Sequence, residues 1–592
     1  MSNQVSNMPL TADQLRQKQI QQAEELLFSG SPKSGFARDL FFGRFRAELV
    51  MPYPVLSPEE QAVGDEAVQA VQTFVDEHLD ADRIDREADI PPEALRGLGE
   101  LGVLGMTISP EYGGRGLSQQ NYCRVMEVIG GHCASTTVFV NAHHSIGLRA
   151  LELFGSDEQK ARWMRPMATG AQIAAFALTE PEAGSDAANV RTRAVPTPDG
   201  SGYVLNGQKR YITNGAIAQV LTVMARTPDE NEPDGKVTAF LVTPDLPGFE
   251  VVEARMEKVG IRGTATARLA FHDMFVPKEN ILGGIGKGLR VALTVLDFGR
   301  TTFGAGCTGA AKFCIRRAVE HANSRRQFGK SLGEFELIKE KIAQAAADTF
   351  AMESGTYHTA SLIDSGAEDY MLETSMLKVF ASDALWRIVN DTLQIYGGAG
   401  FFTDQPFERM MRDARLNLIG EGANEVLRCF NAMVGLRDVG KQFEKVLKKP
   451  WKAGELWRAA PRIPEINRTD KLLVIHARLQ SATRLLSRQI QAFSRACQRM
   501  LIRYREDILD QQCVQARLGD TATELFLASC VYSRLFSLAT RSDVDNATRR
   551  RDLQTGLLYI KTAHRRNKQR LKALVDNNDD DQIMTADAWF AG

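Results

Sequence analysis

A single carboxylate lies between two glycines in the stretch Gly420-Glu421-Gly422, directly before a segment with helical periodicity. Glycines leave room for a ligand near the backbone, and an acidic side chain at a helix entry can project into a site without bulky neighbours. We therefore predict that Glu421 is a base that takes a proton from a bound substrate. The alternative is a glutamate in the first helical turn that only favours the helix dipole, and for an arbitrary Gly-Glu-Gly this is the commoner case.

Two further segments can offer polar groups to a planar ring. The stretch from Phe176 to Asp186 starts as a strand and ends in a glycine-bearing turn with hydroxyl and carboxylate groups. The stretch from Lys209 to Gly215 repeats this arrangement on a later strand, where alternation places Tyr211 and Thr213 on one face. Backbone amides and hydroxyls on two aligned strands can flank a flat heterocyclic cofactor.

The composition is that of an ordinary globular protein of several domains, with 592 residues, 44% of them apolar. A formal net charge of -1 gives no reason to expect a nucleic-acid partner. The eight cysteines are scattered without CxxC or paired Cys/His spacing, which favours a reducing compartment and predicts no metal site. The adjacent His143 and His144 diverge on a helix, so we expect them to pack in a core or line a pocket.

The elements that must position these segments follow from the hydrophobic period. It is helical over 55–170, where Ser57 and Pro58 open the first helix, strand-like over 171–285 and helical again over 286–440. Val204 to Gly207 resembles a hairpin turn. Residues 1–54 are expected to form an extension that docks on the main body, and 441–592 an additional helical domain. The fold prediction is mainly α with a central β-domain.

These motifs, in this order, resemble the acyl-CoA dehydrogenase family over about residues 55 to 440. The resemblance implies a helical N-terminal domain, a β-sandwich or barrel middle domain, a four-helix C-terminal bundle and FAD as cofactor. In most members the base lies in a motif that matches Ile419 to Ala423, which implies that Glu421 is the base. A minority place the base immediately before the arginine of the substrate helix, and Gly299 occupies that position here.

The resemblance also implies a set of ligand-binding residues. Those implied for FAD are Phe176, Leu178, Thr179, Ser185, Tyr211, Thr213, Arg325, Phe328, Gln394, Gly397, Gly398, Ala423 and Glu425. Those implied for the acyl-CoA substrate are Ser185, Asp297, Arg300 and Gly422. In the family, the segments around Arg325 and Gln394 meet the FAD of the neighbouring subunit, which implies a homodimer that shares its cofactors. Ala423 replaces the usual threonine, whose hydroxyl reaches the flavin, so weaker retention of FAD is expected.

The function implied is the α,β-dehydrogenation of acyl-CoA thioesters to trans-2-enoyl-CoA in fatty acid β-oxidation. Hydride would pass to flavin N5, and an electron-transfer flavoprotein would be the acceptor. The extra C-terminal domain and local stretches such as Gln327-Phe328-Gly329 are similar to the very-long-chain subgroup, so a long-chain or very-long-chain substrate is expected. Two alternatives stay open: an acyl-CoA oxidase that uses oxygen, and a non-catalytic respiratory-assembly or scaffold protein.

The last region carries a basic pattern. Eight basic residues and no acid occur between Lys471 and Arg505, with leucines and Phe493 interspersed, and Lys448 to Arg458 adds tryptophans. Such segments can lie on anionic membrane surfaces; the alternative is a helix that packs on the core with its arginines in solvent. No membrane-spanning stretch or secretory signal is predicted. A bacterial cytoplasmic location, with peripheral contact at the inner membrane, is expected over a mitochondrial matrix.

Overall fold

The computed structural model describes residues 35–228, 233–447, 479–541 and 544–591. Two short helices come first, α1 (Phe36–Phe41) and α2 (Ala47–Val50). The aromatic side chains of α1 are buried, and Phe41 meets Phe493 edge to face with ring centroids 4.9 Å apart. Residues 35–50 therefore pack on the main body, whereas residues 1–34 of the predicted extension lie outside the described residues.

The next block is helical. Its helices are α3 (Pro58–His78), α4 (Ala81–Glu87), α5 (Pro92–Glu100), α6 (Gln119–His132), α7 (Ala134–Val140), α8 (Arg149–Phe154) and α9 (Asp157–Ala168), with a π-helical segment at Asn141–Leu148 between α7 and α8. Ser57 caps α3 as its sequence predicts: its hydroxyl accepts from Glu60 N over 3.2 Å, and the Glu60 carboxylate accepts from Ser57 N over 3.0 Å. The π-helical segment carries Asn141 and His143, which contact Glu421 and the start of the β-domain.

A mostly antiparallel sheet follows. Its strands are β1 (Ala174–Ala177), β2 (Arg193–Pro196), β3 (Gly202–Ile212), β4 (Val220–Thr227), β5 (Lys236–Val242), β6 (Phe249–Glu253), β7 (Ala267–Pro277) and β8 (Ile281–Leu282). Within the described residues the strand order is β6-β7-β3-β2-β4-β5-β8, and β1 pairs in parallel with β4.

The hairpin predicted at Asn206-Gly207 is wrong, because both residues lie inside β3. The register against β7 shifts between Leu205 and Gly207. Asn206 exchanges two hydrogen bonds with Asp273 there, from its Nδ2 to Oδ1 over 3.0 Å and from Asp273 N to its Oδ1 over 2.9 Å. A bulge, rather than a turn, uses the Asn-Gly pair.

The helical period then returns. The bundle helices are α10 (Gly288–Ser324), α11 (Glu336–Asp364), α12 (Met371–Tyr396), α13 (Gly398–Phe401), α14 (Phe407–Leu416) and α15 (Asn424–Leu447), with a small hairpin of β9 (Arg326–Gln327) and β10 (Lys330–Ser331) after α10. The starts of α10 and α12 are joined by the Thr374 hydroxyl, which donates to Asp297 Oδ1 over 2.8 Å, and their ends by His321 stacked on Tyr396. The two helices therefore run side by side in the same direction.

The described residues after 478 form four more α-helices: α16 (Gln480–Tyr504), α17 (Gln512–Thr540), α18 (Asn546–Ala573) and α19 (Asp579–Phe590). Apolar side chains of α16 to α18, such as Phe493, Phe526 and Ile560, belong to the same buried cluster as Phe350 and Leu377 of the bundle. This additional domain therefore shares its core with the bundle rather than folding beside it. Among the helices of the described residues, none is both long and apolar enough to cross a membrane.

Candidate active site

The Glu421 turn lies between α14 and α15, three residues before α15 begins at Asn424. Glu421 has φ +55° and Gly422 has φ +99°. The alternative interpretation of Glu421 as a first-turn helix residue is therefore wrong. A non-glycine residue in the left-handed region is strained and persists only where its surroundings hold it.

A buried lysine supplies part of that support. Lys378 Nζ on α12 donates to the Gly422 carbonyl over 2.6 Å and to Asn424 Oδ1 over 2.9 Å. Asn424 Nδ2 in turn donates to Asp383 Oδ1 over 3.0 Å. The turn that carries Glu421 is thus fixed from the neighbouring helix at Gly422 and at Asn424.

The two carboxylate oxygens of Glu421 have different surroundings. Oε1 accepts a hydrogen bond from Asn141 Nδ2 over 2.7 Å, whereas the buried Oε2 has no hydrogen-bond partner within the described part of the chain. A Cβ built on Gly299 would lie 3.3 Å from Oε2, so the carboxylate faces that glycine of α10. Burial raises the pKa of Glu421 to about 6, against the opposing effects of Arg300 and Lys378. A carboxyl with this pKa can act as a base near neutral pH.

Asp297 and Arg300, the candidate substrate-helix residues, both lie on α10, and Arg300 is near enough to Glu421 to oppose the rise in the pKa of that carboxyl. Both are buried, and Arg300 Nη1 donates to Asp297 Oδ1 over 3.2 Å. Burial raises the pKa of Asp297 to about 6. The buried Nε of Arg300 has no partner among the described residues, so this arginine keeps a donor for a further group.

A buried ion pair joins the two segments proposed to flank a ring. Lys209 Nζ lies 2.7 Å from Glu180 Oε1 and donates to the Leu178 carbonyl over 3.1 Å. Arg210 N also donates to the Thr179 carbonyl over 2.9 Å. Glu180 and Lys209 lie inside the motifs quoted from the sequence, but only the structure identifies them as the link between the two segments.

The residues of these segments differ in exposure. Phe176, Leu178, Thr179 and Thr213 are half-buried, while Ser185 and Tyr211 are exposed. The prediction that Tyr211 and Thr213 share one strand face is wrong, because β3 ends at Ile212 and Tyr211 has φ +62°. The break in the strand turns the Tyr211 ring outwards, with 57% of the residue exposed. Exposed ring and hydroxyl groups beside half-buried apolar ones fit a planar ligand such as an isoalloxazine.

The end of α7 and the π-helical segment that follows it connect this region to Glu421. Asn214 Nδ2 donates to the carbonyl of Phe139 on α7 over 3.2 Å, and Ala174 N donates to Nδ1 of His143 in the π-helical segment over 2.9 Å. Two residues before His143, Asn141 contacts Glu421. His143 is fully buried and burial lowers its pKa to about 4, so it is a neutral packing residue, as expected for this pair of histidines.

The remaining candidate FAD residues lie elsewhere. Arg325 and Phe328 follow the end of α10, and Phe328 is 92% exposed. Gln394, Gly397 and Gly398 lie at the end of α12, where a Cβ on either glycine would meet nothing within 4 Å. The stacking of His321 on Tyr396, with ring centroids 4.1 Å apart, brings these two groups to one end of the bundle. Ala423 is half-buried beside Glu421, and Glu425 is exposed on α15.

Sequence reasoning missed Asn141 and Lys378. Asn141 is separated from Glu421 by 280 positions and Lys378 from Gly422 by 44. The only local signal for Lys378 is a lysine on the apolar face of a helix, where burial requires a partner. Asn141 carries no such signal.

Comparisons with known proteins agree with this geometry. Family models for acyl-CoA dehydrogenase match 58–171 (N-terminal domain), 175–274 (middle domain) and 286–435 (C-terminal domain), and the ACAD9/ACADV C-terminal domain matches 477–588. The very long-chain specific acyl-CoA dehydrogenase, mitochondrial, of Bos taurus is 36% identical over 521 residues, which cover 86% of this chain and 79% of that protein.

Two bacterial proteins extend the comparison. The probable acyl-CoA dehydrogenase FadE10 of Mycobacterium tuberculosis is 38% identical over 417 residues, 69% of this chain and 64% of that protein. The crystal structure of an acyl-CoA dehydrogenase complexed with FAD from Bacillus anthracis is similar with a TM-score of 0.77 at 28% identity, covering 94% of each chain.

Proposed function

Because the chain belongs to the acyl-CoA dehydrogenase family, with FAD as its cofactor, we propose that it converts long-chain and very-long-chain acyl-CoA thioesters to trans-2-enoyl-CoA in fatty acid β-oxidation. The observation that carries this proposal is the state of Glu421, whose Oε1 is held by Asn141 while the buried Oε2 is free and faces Gly299. That oxygen is placed to take a proton from a substrate lying along α10.

The residues of this chain act on the α-proton. Glu421 removes this proton and must be ionised before it can do so. Arg300 and Lys378 stabilise the ionised form of Glu421. An acyl chain that excludes water raises the pKa of Glu421 further and makes it a stronger base. The main-chain N–H of Glu421, which donates to no other group of the described residues, can donate to the thioester oxygen as the enolate develops.

The candidate ring-binding segments hold the cofactor in this proposal. Phe176, Leu178, Thr179, Tyr211 and Thr213 would contact the isoalloxazine, and the backbone of Ala423 would approach its edge. FAD held by these residues would supply flavin N5 as the acceptor for the β-hydrogen, which leaves as hydride. Ser185, Asp297, Arg300 and Gly422 would bind the acyl-CoA.

We further propose a homodimer that shares its two FAD molecules. Along α10, Arg300 beside the base and Ser324 at the helix end are separated by about 36 Å at 1.5 Å per residue. The other candidate FAD residues lie at that far end: Arg325, Phe328, Gln394, Gly397 and Gly398. A single FAD therefore cannot contact both these residues and the ring-binding segments of the same chain. Exposed Phe328, Phe401 and Phe402 suit a subunit contact. Dilution that yields monomers in light scattering should release FAD; monomers that keep FAD would refute the sharing.

An electron-transfer flavoprotein is our proposed electron acceptor. The rival with the same base is an oxidase that passes the electrons to oxygen. Measuring peroxide formation beside reduction of an electron-transfer flavoprotein separates the two, because only the oxidase gives stoichiometric peroxide in air.

The main test is an anaerobic titration of the yellow protein with acyl-CoAs of graded chain length. Bleaching of the flavin that is tightest and fastest with long chains supports the proposal. Bleaching only by short chains would reject the long-chain substrate, and no bleaching by any acyl-CoA would reject the function. The name of the bovine relative and the match to the ACAD9/ACADV C-terminal domain support the long-chain choice.

We also propose a bacterial cytoplasmic location with peripheral contact at the inner membrane. The apolar side of α16 is buried, so the contact would be electrostatic and would come from its exposed arginines. Those on one stripe are Arg484, Arg488, Arg495 and Arg499. The tryptophans of the predicted Lys448 to Arg458 segment lie outside the described residues, as do Lys471 and Arg478.

Vesicle flotation of the full chain tests this contact. Because the additional domain shares its core with the bundle, the variant should keep the domain and change the four arginines to glutamine. We expect the unmodified protein to float with anionic vesicles and not with neutral ones, and the variant to stay in the soluble fraction. If the unmodified protein also stays soluble, the membrane contact is rejected.

A further inference from the structure

A line of buried polar side chains ends on the carboxylate of Glu421. The Tyr122 hydroxyl lies 3.2 Å from Ser145 Oγ, and Ser145 Oγ lies 3.0 Å from Thr302 Oγ1. Thr302 donates to Asn141 Oδ1, and Asn141 Nδ2 donates to Glu421 Oε1 over 2.7 Å. The four side chains that lead to Glu421 in this line belong to buried residues, each with 0% to 5% exposure. They are Tyr122, Ser145, Thr302 and Asn141.

The groups around Asn141 fix which way its amide points. The Glu421 carboxylate and the Gly299 carbonyl can only accept, so Nδ2 is the atom that faces them, at 2.7 and 3.3 Å, and Oδ1 accepts from the Thr302 hydroxyl. A reversed amide would place Oδ1 against both of these acceptor oxygens. Asn141 therefore presents a donor, and only a donor, to the base.

We propose that Asn141 is a positioning residue for the base: it holds Oε1, fixes the Glu421 side chain in one orientation and leaves Oε2 as the oxygen that takes the α-hydrogen. This inference rests on the proposed function. It assigns different tasks to the two oxygens of one carboxylate, one anchored and one reactive.

The electrostatics follow from the same contact. A hydrogen bond donated to a carboxylate stabilises its charged form, so Asn141 lowers the pKa of Glu421 against the effect of burial. The other titratable groups that face Glu421 are Arg300 and Cys307 on α10 and Lys378 on α12. Arg300 and Lys378 stabilise the anion at longer range. Among the described residues, Asn141 is the one side chain that hydrogen-bonds to the carboxylate, so its removal should raise the pKa of Glu421.

The test uses two variants of Asn141 in the FAD-bound protein. Asn141→Ala removes the donor, and Asn141→Asp keeps the size but puts a second carboxyl at the same place. The matched control is Asn280→Ala, which removes another buried asparagine whose Nδ2 donates to a main-chain carbonyl over 2.8 Å in the β-domain. Infrared titration follows the carboxyl band of Glu421, identified as the band that Glu421→Gln lacks. Stopped-flow reduction by acyl-CoA gives the pH profile of proton removal.

We expect Asn141→Ala to raise the pKa of Glu421 by about one pH unit, because the variant loses the hydrogen bond that stabilises the charged form of the carboxyl. Asn141→Asp should raise it further, because two carboxyls at this distance share one proton. The rate of flavin reduction should fall at low pH in both variants and recover as the pH rises. Asn280→Ala should leave the band and the profile unchanged.

An infrared band that titrates as in the unmodified protein in both Asn141 variants overturns the inference, and so does an equal shift in Asn280→Ala. The infrared readout needs no turnover. If no acyl-CoA bleaches the unmodified protein but the band still shifts in the Asn141 variants, the proposed function fails while the positioning role stands.

Discussion

Lys378 Nζ donates to the carbonyl oxygen of Gly422 over 2.6 Å, so an ammonium on α12 holds the turn before α15 that carries Glu421, the proposed base. Lys378 is 0% exposed, and burial lowers its pKa to about 8. Glu421 and Gly422 both have positive φ. Two consecutive residues in the left-handed region need an external restraint, and this hydrogen bond supplies it.

Lys378→Met should therefore impair both stability and chemistry. Removing the ammonium leaves the Gly422 carbonyl and Asn424 Oδ1 without their donor in a buried site, which should cost about 2 to 4 kcal/mol of unfolding free energy. Flavin reduction should slow by about 10- to 100-fold because Oε2 is no longer held in place. Urea unfolding and stopped-flow reduction measure the two effects. The control is Lys341→Met, which breaks a half-exposed pair with Asp391 and should cost at most about 1 kcal/mol; unaltered reduction in Lys378→Met would contradict the role.

Glu421→Gln should keep FAD and lose flavin reduction by several orders of magnitude. Amide and carboxylate have nearly the same shape, but the amide cannot accept the proton. In the unmodified enzyme, kcat/KM should rise with pH through about 6, because burial raises the pKa of Glu421 to that value and only the ionised form is a base. Glu93→Gln, an exposed change on α5, is the control and should keep the whole profile. Near-normal turnover in Glu421→Gln would move the base to another residue.

The architecture was predictable where a pattern is local. The period of the apolar residues predicts the order of a helical domain, a sheet and a second helical domain. Ser57 and Glu60, three positions apart, mark the start of α3 because they form a capping box. The Gly-Glu-Gly stretch likewise identifies Glu421 from its immediate neighbours. Local patterns fail where the tertiary contact decides, as at Asn206-Gly207, which has the composition of a turn but lies in a bulge held by Asp273.

The residues that hold Glu421 in place could not be predicted either, because tertiary contacts decide their role. Nothing near Asn141 or Lys378 indicates which group each one contacts, because both partners are brought by the packing of other helices. The strain at Tyr211, which turns its ring out of the strand, also depends on the irregular pairing of β3 with β7. Motifs indicated the candidate reactive groups, whereas the residues that hold them could be found only in the folded chain.

The buried pair of Glu180 and Lys209 allows a double-mutant test of the ring-binding segments. Lys209→Met leaves an uncompensated carboxylate in a site where Glu180 is 4% exposed, which should cost about 3 to 5 kcal/mol. The double variant Glu180→Gln with Lys209→Met should regain part of that free energy, since no charge is left buried. FAD content should fall in the single variant and partly return in the double one, as measured by absorbance after gel filtration. Breaking the exposed pair of Arg83 and Glu87 should change neither quantity; a single variant with normal FAD content would contradict the link.

Glu373 should make stability depend on pH. It is 1% exposed on α12, and its Oε1 accepts from Ala37 N over 2.8 Å, which ties α1 to the bundle. Burial, with Asp369 nearby, raises its pKa from 4.5 to about 7. A raised pKa means that the folded protein binds this proton more tightly than the unfolded chain. The stability from the neutral side chain is therefore fully present below pH 4.5 and is lost as the pH rises through about 7.

Glu373→Gln removes this dependence, because glutamine stays neutral and can still accept from Ala37 N. The variant should unfold with about 3 kcal/mol more free energy than the unmodified protein at pH 8.5, and with less than about 1 kcal/mol more at pH 5. Urea unfolding at the two pH values measures the difference. Glu336→Gln, an exposed change on α11, should give the same small difference at both. An equal effect of Glu373→Gln at pH 5 and pH 8.5 would mean that the buried carboxyl does not titrate in this range. The hydrogen bond from Ala37 N would then stabilise α1 to the same extent at both pH values.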